Sequence, residues 1–198
     1  MMLAAVAVVA FVAVAGAVFW LSEQQARKMQ VGIPDFSSQE FRLTDQSGAS
    51  RSAADFAGAP VALFFGYTYC PDVCPMTLTL LANALDEVGD RGLDTAALQT
   101  IFVTVDAERD TQEQLAAYLS LFDTEVTGLT GSSEALVKVQ RDFGAYASRV
   151  EREDGVVLWD HTATVYLYDA DGRFTGTMVF NEPPEFVTEK LARLFQAG

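Results

Sequence analysis

Two cysteines and one histidine are the whole supply of thiolate and imidazole chemistry in this 198-residue chain. The cysteines, Cys70 and Cys74, lie in the run Tyr69-Cys70-Pro71-Asp72-Val73-Cys74-Pro75, and the histidine is His161. A spacing of four residues puts two side chains on one face of a helix, and close together in a tight loop as well. Both sulfurs can then reach one atom. A helix starting beside them favours thiolate over thiol through its partial positive charge and free N–H groups. Thiolate binds metals and also attacks disulfides, so the cysteines alone leave both chemistries open. With His161 they form a soft, low-coordinate set of two thiolates and one imidazole. Such a set suits Cu(I) and can hold Cu(II), whereas zinc normally takes a fourth ligand and no further Cys or His exists. Asp72 and Asp160 neighbour the site residues and are candidates to orient them, and Met76 is a candidate extra soft ligand. The plainer readings are a structural disulfide, a structural histidine, solvated acidic loops and a core methionine.

These residues need elements to bring them together. From Pro60, Val61-Ala62-Leu63-Phe64-Phe65-Gly66 is an unbroken apolar run, as expected for a central strand buried on both faces. The loop from Tyr67 to Pro75 leads into a helix from Met76, with Leu78, Leu81, Ala82 and Leu85 at helical spacing. Strand 101–105 and helix 111–122 repeat the pattern, and a third helix runs over 133–143 with Ser132 or Ser133 as its cap. Thr164 to Tyr168 and Phe174 to Phe180, joined through Asp169-Ala170-Asp171-Gly172, read as an antiparallel hairpin. Pro183 and Pro184 open a last helix that ends near Phe195 and buries Phe186, Leu191 and Leu194. Ahead of these, Phe41 to Thr44 and the turn Asp45-Gln46-Ser47-Gly48 suggest a strand or hairpin, followed by a short helical stretch from Ser52 to Phe56. Two βα units, a hairpin and a closing helix make an α/β, thioredoxin-like fold with additional N-terminal strands. In such a fold the loop entering strand 164–168, where His161 stands, faces the cysteine loop.

The 50% hydrophobic content is inflated by Met1 to Leu21, which carry no charge. At about 1.5 Å per residue this segment spans roughly 30 Å and is expected to be a transmembrane helix. Its competitor is a cleaved signal with Ala15-Gly16-Ala17 as the cleavage pattern, but no Lys or Arg precedes it and the apolar run continues past that point. The expected organisation is an anchor over 1–21, a juxtamembrane stalk over 22–35 and one domain over 36–198. Arg27 and Lys28 after the anchor, taken alone, would put the domain on the cytoplasmic side. The formal net charge of -14, without a basic patch, argues against a nucleic-acid partner.

Four ordered motifs carry a specific resemblance: Phe65 to Pro75 (FGYTYCPDVCP), Val103 to Thr111 (VTVDAERDT), Gly128-Leu129-Thr130-Gly131 and Asp160-His161-Thr162. From about Ile33 to its C-terminus the chain resembles the Sco/SenC family of membrane-anchored, thioredoxin-fold copper proteins, which serve assembly of the binuclear copper centre of cytochrome c oxidase. The resemblance implies that Cys70, Cys74 and His161 match the copper ligands. It also implies a copper-accepting oxidase subunit, an upstream copper donor and a thiol reductant as partners, and a domain in the periplasm or its equivalent. Tyr69 stands where many members have His, and Ala107 where Pro is usual. The leading expectation is thus a copper metallochaperone rather than an enzyme. The alternative is a thiol-disulfide oxidoreductase using Cys70 and Cys74, against which the three intervening residues count mildly. A peroxidase reading is weaker still, since the loop shows no nearby arginine.

Overall fold

The computed structural model describes residues 32–196, together with Gly16. The anchor expected over 1–21, and the stalk up to residue 31, lie outside these except for Gly16. Among the described residues no helix is long and apolar enough to cross a membrane. A compact unit begins at Pro34.

The N-terminal hairpin is short, β1 (Leu43–Asp45) against β2 (Ser50–Arg51). The turn between them is built on the Asp45 carboxylate. It accepts from the backbone N–H of Ser47 (2.8 Å) and Ala49 (3.0 Å), the Ser47 hydroxyl (2.6 Å) and Arg51 Nε (2.7 Å). Burial alone would raise the pKa of Asp45, but these donors outweigh it and hold the group at about 2.

Then come β3 (Val61–Gly66), α1 (Val73–Asp90), β4 (Gln99–Thr104), α2 (Gln112–Leu119), β5 (Val126–Thr130) and α3 (Ser133–Asp142). All six residues of β3 are buried, as its apolar composition requires. It lies inside the sheet, parallel to β4 and antiparallel to a later strand. Thr111 and Ser132 cap α2 and α3 with their hydroxyls, which accept from Gln114 N and Ala135 N. Helix α1 starts three residues earlier than its apolar spacing suggests. Pro75 is tolerated there because a first-turn N–H has no intrahelical partner to lose.

The chain then forms a separate two-stranded ribbon, β6 (Ala147–Glu151) against β7 (Val157–His161), before returning to the main sheet as β8 (Thr164–Tyr168) and β9 (Phe174–Val179) and closing with α4 (Pro184–Gln196). The seven-stranded sheet has the order β2-β1-β5-β4-β3-β8-β9. In α4 the buried positions are Val187, Thr188, Leu191, Ala192 and Leu194, whereas Phe186, expected in the core, is exposed. It precedes Val187, which opens the i, i+4 row that faces inward.

Side-chain alternation gives the two faces of β3 different tasks. Phe65 belongs to an aromatic cluster with Phe36, Phe143 and Tyr168, ring centroids 5.5 to 6.3 Å apart where they meet. Phe64 and Gly66 face the other way, with Phe102 of β4 and Tyr118 of α2. The chemistry-bearing residues gather on this second face, at the carboxyl ends of β3 and β4, where open α/β sheets usually hold their sites.

Replacing Asp45 by Asn is expected to cost about 1–3 kcal/mol at pH 7, read as a shift in the urea midpoint with unchanged slope. Because the folded-state pKa lies below the unfolded one, this contribution is full above pH ~4 and fades as pH falls toward 2. A variant gap that is as wide at pH 2 as at pH 7 would refute the assignment.

Candidate metal centre

Cys74 sits in the first turn of α1, fully buried, with its sulfur against the end of β3. A β-carbon placed on Gly66 would come 2.9 Å from Cys74 Sγ and 2.7 Å from the Phe102 ring, so the missing side chain at Gly66 makes room for the sulfur. Cys70 lies in the preceding turn, half-buried, and its Sγ accepts from the Cys74 N–H at 3.3 Å. The side chain of Asp72, at the N-cap position, makes no capping bond. A cysteine sulfur therefore takes up part of the unsatisfied N-terminus.

Both cysteines are free thiols, and they are not alike. A hydrogen bond from the Cys74 thiol is the main cause that lowers Cys70 to about 4. Burial opposes it, and the His161 side chain and the backbone N–H groups of Cys74 and Asp72 support it. Donating that bond, burial, and the adjacent Cys70 charge all push Cys74 strongly upward. The pair therefore favours thiolate at Cys70 and thiol at Cys74.

His161 is the last residue of β7, not part of a loop leading into β8. Its Nε2 lies 3.5 Å from Cys74 Sγ, and its Nδ1 lies 3.1 Å from the Thr162 carbonyl oxygen. A carbonyl can only accept, so Nδ1 carries a proton, and in the neutral ring the Nε2 lone pair then faces the sulfurs. The ring is held edge-to-face by Tyr67 (5.7 Å) and Phe64 (6.2 Å). The two sulfurs and the imidazole nitrogen all lie within 4.8 Å of one another, close enough to hold a single metal ion.

The other side chains singled out in the sequence are not among these converging donors. Met76 is exposed at 56%. Asp160 is exposed and, as the strand neighbour of His161, projects to the opposite face of the ribbon. Asp72 contributes its backbone N–H to Cys70.

Sequence reasoning missed several neighbours. Arg109 stands beside the loop after all, its guanidinium 4.9 Å from the Tyr69 ring centroid and 5.9 Å from that of Tyr67. Asp110, fully buried, accepts from the Thr68 N–H (3.0 Å) and hydroxyl (2.6 Å) and from the Thr104 hydroxyl (2.5 Å), which pins the start of the cysteine loop. The ribbon that carries His161 was also missed, although Asp154-Gly155 between Val150 and Val157-Leu158-Trp159 is a strong hairpin signal.

A thioredoxin-like domain that brings a CxxxC thiol pair and a distant imidazole to one point defines a class of soft-metal or thiol-exchange proteins. Comparison narrows it. The profile of the SCO1/SenC family matches residues 33–196, and the chain belongs to that family. It is 39% identical over 152 residues to the mitochondrial SCO2 homologue of Danio rerio, covering 76% of this chain and 52% of the relative. The Bos taurus counterpart is 37% identical, with 61% of its length covered. The chain thus spans between half and two thirds of these relatives. Among solved structures it resembles Bradyrhizobium japonicum ScoI with copper bound: 39% identity, TM-score 0.70, covering 79% of this chain and 98% of that one. Arabidopsis thaliana ScoI with copper bound aligns with TM-score 0.74 at 30% identity, covering 81% of this chain and 98% of that one.

The difference between the thiols predicts their reactivity. Iodoacetamide should modify Cys70 of the folded protein at a rate that changes less than about 2-fold between pH 5.5 and 8, where an ordinary thiol would gain about 200-fold. Cys74 should resist until the protein unfolds. Peptide mass spectrometry separates the two sites, and a Cys70 rate that climbs with pH like a free thiol would contradict the arrangement.

Proposed function

We propose that the protein is a copper metallochaperone in which Cys70, Cys74 and His161 bind one copper ion and release it to an acceptor by ligand exchange. The observation that carries this reading is the convergence of two sulfurs and an Nε2 lone pair within one metal's reach. Two thiolates and an imidazole are soft and few enough for Cu(I), and the same set can hold Cu(II). The copper-bound state of the similar ScoI structures supports it. Incoming thiolates of the acceptor displace the three ligands one at a time, so the ion is never released into solvent. Cys70, the more accessible sulfur, is the natural point of approach.

The family resemblance makes the copper-accepting subunit of cytochrome c oxidase the acceptor, its binuclear copper centre the destination, and an upstream copper donor and a thiol reductant the further partners. On this reading residues 1–21 are a single-pass anchor in the cytoplasmic membrane, 22–35 a stalk, and 36–198 the copper-binding domain in the periplasm or its equivalent.

A second reading, thiol-disulfide exchange on the acceptor, is favoured by the division into a low-pKa, half-exposed Cys70 and a buried, protonated Cys74. The Cys70 thiolate would attack one sulfur of an acceptor disulfide, expelling the other as thiolate. Cys74, losing its proton, would then attack Cys70, releasing the second acceptor thiol and leaving Cys70 and Cys74 oxidised.

Anaerobic titration of the reduced protein should give one copper per chain, with two sulfurs and one nitrogen by X-ray absorption. His161→Ala should weaken binding by at least about 10-fold. Indifference to that substitution would shift the weight to thiol exchange, which needs only the cysteines. A second outcome concerns protons. Because Cys74 must lose its proton to bind, apparent affinity should fall by about 10-fold for each pH unit lowered below neutrality, from this group alone. A pH-independent affinity would show that Cys74 is not a ligand.

A further inference from the structure

The ribbon β6–β7 is not part of the main sheet and pairs only with itself among the described strands. It nevertheless has to hold His161 against two sulfurs 87 and more residues away in sequence. Few directional contacts join it to the rest of the domain. One is the approach of His161 to Cys74. A second is Tyr67, whose hydroxyl meets the Trp159 backbone. The third runs from Arg109, whose Nη1 donates to the Val157 carbonyl oxygen at 2.9 Å.

Arg109 is unusually well placed for this. Its Nε donates to the buried Asp106 carboxylate, at the end of β4, which fixes the guanidinium from behind. One nitrogen of the fork then reaches the first residue of β7, while the plane lies over the rings of Tyr67 and Tyr69, on either side of Thr68 in the cysteine loop. Its Nη2 is buried without a hydrogen-bond partner among the described residues, so it relies on the ring faces for stabilisation. Tyr67 in turn stands edge-on to His161. A single cation thus touches strand end, cysteine loop and histidine ribbon.

We infer that Arg109 is the positioning residue for His161: its guanidinium fastens the β6–β7 ribbon to the cysteine loop and so sets the imidazole at bonding distance from the sulfurs. The role needs arginine. Lysine keeps the charge but has no planar fork with which to hold Asp106 and Val157 together while standing over two rings. The last step of the inference rests on the copper reading above, whereas the fastening itself does not.

The test uses the full chain in mild detergent, as wild type, Arg109→Gln, Arg109→Lys and Tyr69→Leu, the last at an exposed position. Hydrogen exchange of the metal-free proteins by peptide mass spectrometry reads the fastening. Amides of 147–161 should exchange at least about 10-fold faster in both Arg109 variants, with those of 61–66 and 99–104 unchanged. Tyr69→Leu should give a smaller acceleration confined to the same peptides, and serves alone if the Arg109 variants do not fold. X-ray absorption of the Cu(I)-loaded proteins reads the positioning, with the nitrogen contribution expected to shrink and affinity to fall about 10-fold while the sulfur contribution persists. Ribbon exchange at the wild-type rate overturns the inference, and so does a loosened ribbon that leaves nitrogen coordination and affinity intact. If His161→Ala binds copper as tightly as wild type while the Arg109 variants loosen the ribbon, the fastening stands and the copper reading falls.

Discussion

The sulfur of Cys74 occupies the space above Gly66, where a buried strand ends without a side chain. With the sulfur seated there, against Phe102, the first turn of α1 is committed in position. Cys70 then follows, because its Sγ is hydrogen-bonded to the Cys74 N–H. A larger residue at Gly66 would lift the sulfur, tilt the helix start and move every donor atom of the site. The chemistry at the surface is in this sense a consequence of close packing at a strand terminus.

The two thiols show how the same geometry serves two chemistries. A lowered pKa makes Cys70 a ready ligand or nucleophile, while the bond it donates to Cys70, with burial, keeps Cys74 protonated until something replaces that proton. A soft cation can do so, and so can oxidation. The imidazole serves both, since an Nε2 lone pair beside Cys74 can take its proton during disulfide exchange as well as bind a metal; only metal binding draws all three donor atoms onto one centre. Tyr69 shapes the surroundings of the pair: it gives Arg109 a ring face beside the first cysteine.

Much of this was legible in the sequence where local pattern and tertiary role coincide. The apolar run 61–66 reads as a buried strand, and any set of thiolate and imidazole donors could only be drawn from three residues. Other elements were not legible, for physical reasons. In β5 a glycine interrupts a five-residue run, and only the packed structure shows why: a β-carbon on Gly128 would lie 2.5 Å from Leu119 Cδ1. The β6–β7 ribbon is half-buried or exposed along both strands, so the apolar/polar alternation that reveals a strand is weak there, and its Asp154-Gly155 turn was the stronger clue. Phe186 misled because hydrophobicity does not by itself say which way a helix faces. Arg109 was out of reach altogether, since it stands 39 positions after the first cysteine and only the parallel pairing of β3 with β4 brings the two together.

The ribbon's construction also bears on how such a protein behaves when crowded. A two-stranded sheet has two open edges, each a template on which another extended chain can add. Here the tip carries Arg149, Glu151, Arg152, Glu153 and Asp154, in opposite-sign pairs such as Arg149 with Glu151. The Val157 carbonyl, which would otherwise face outward, is already occupied by a guanidinium. The edges are therefore discouraged from self-association by charge and by one capped acceptor rather than by being covered. Charge and one capped acceptor thus stand in for a covering element along the strand that bears His161.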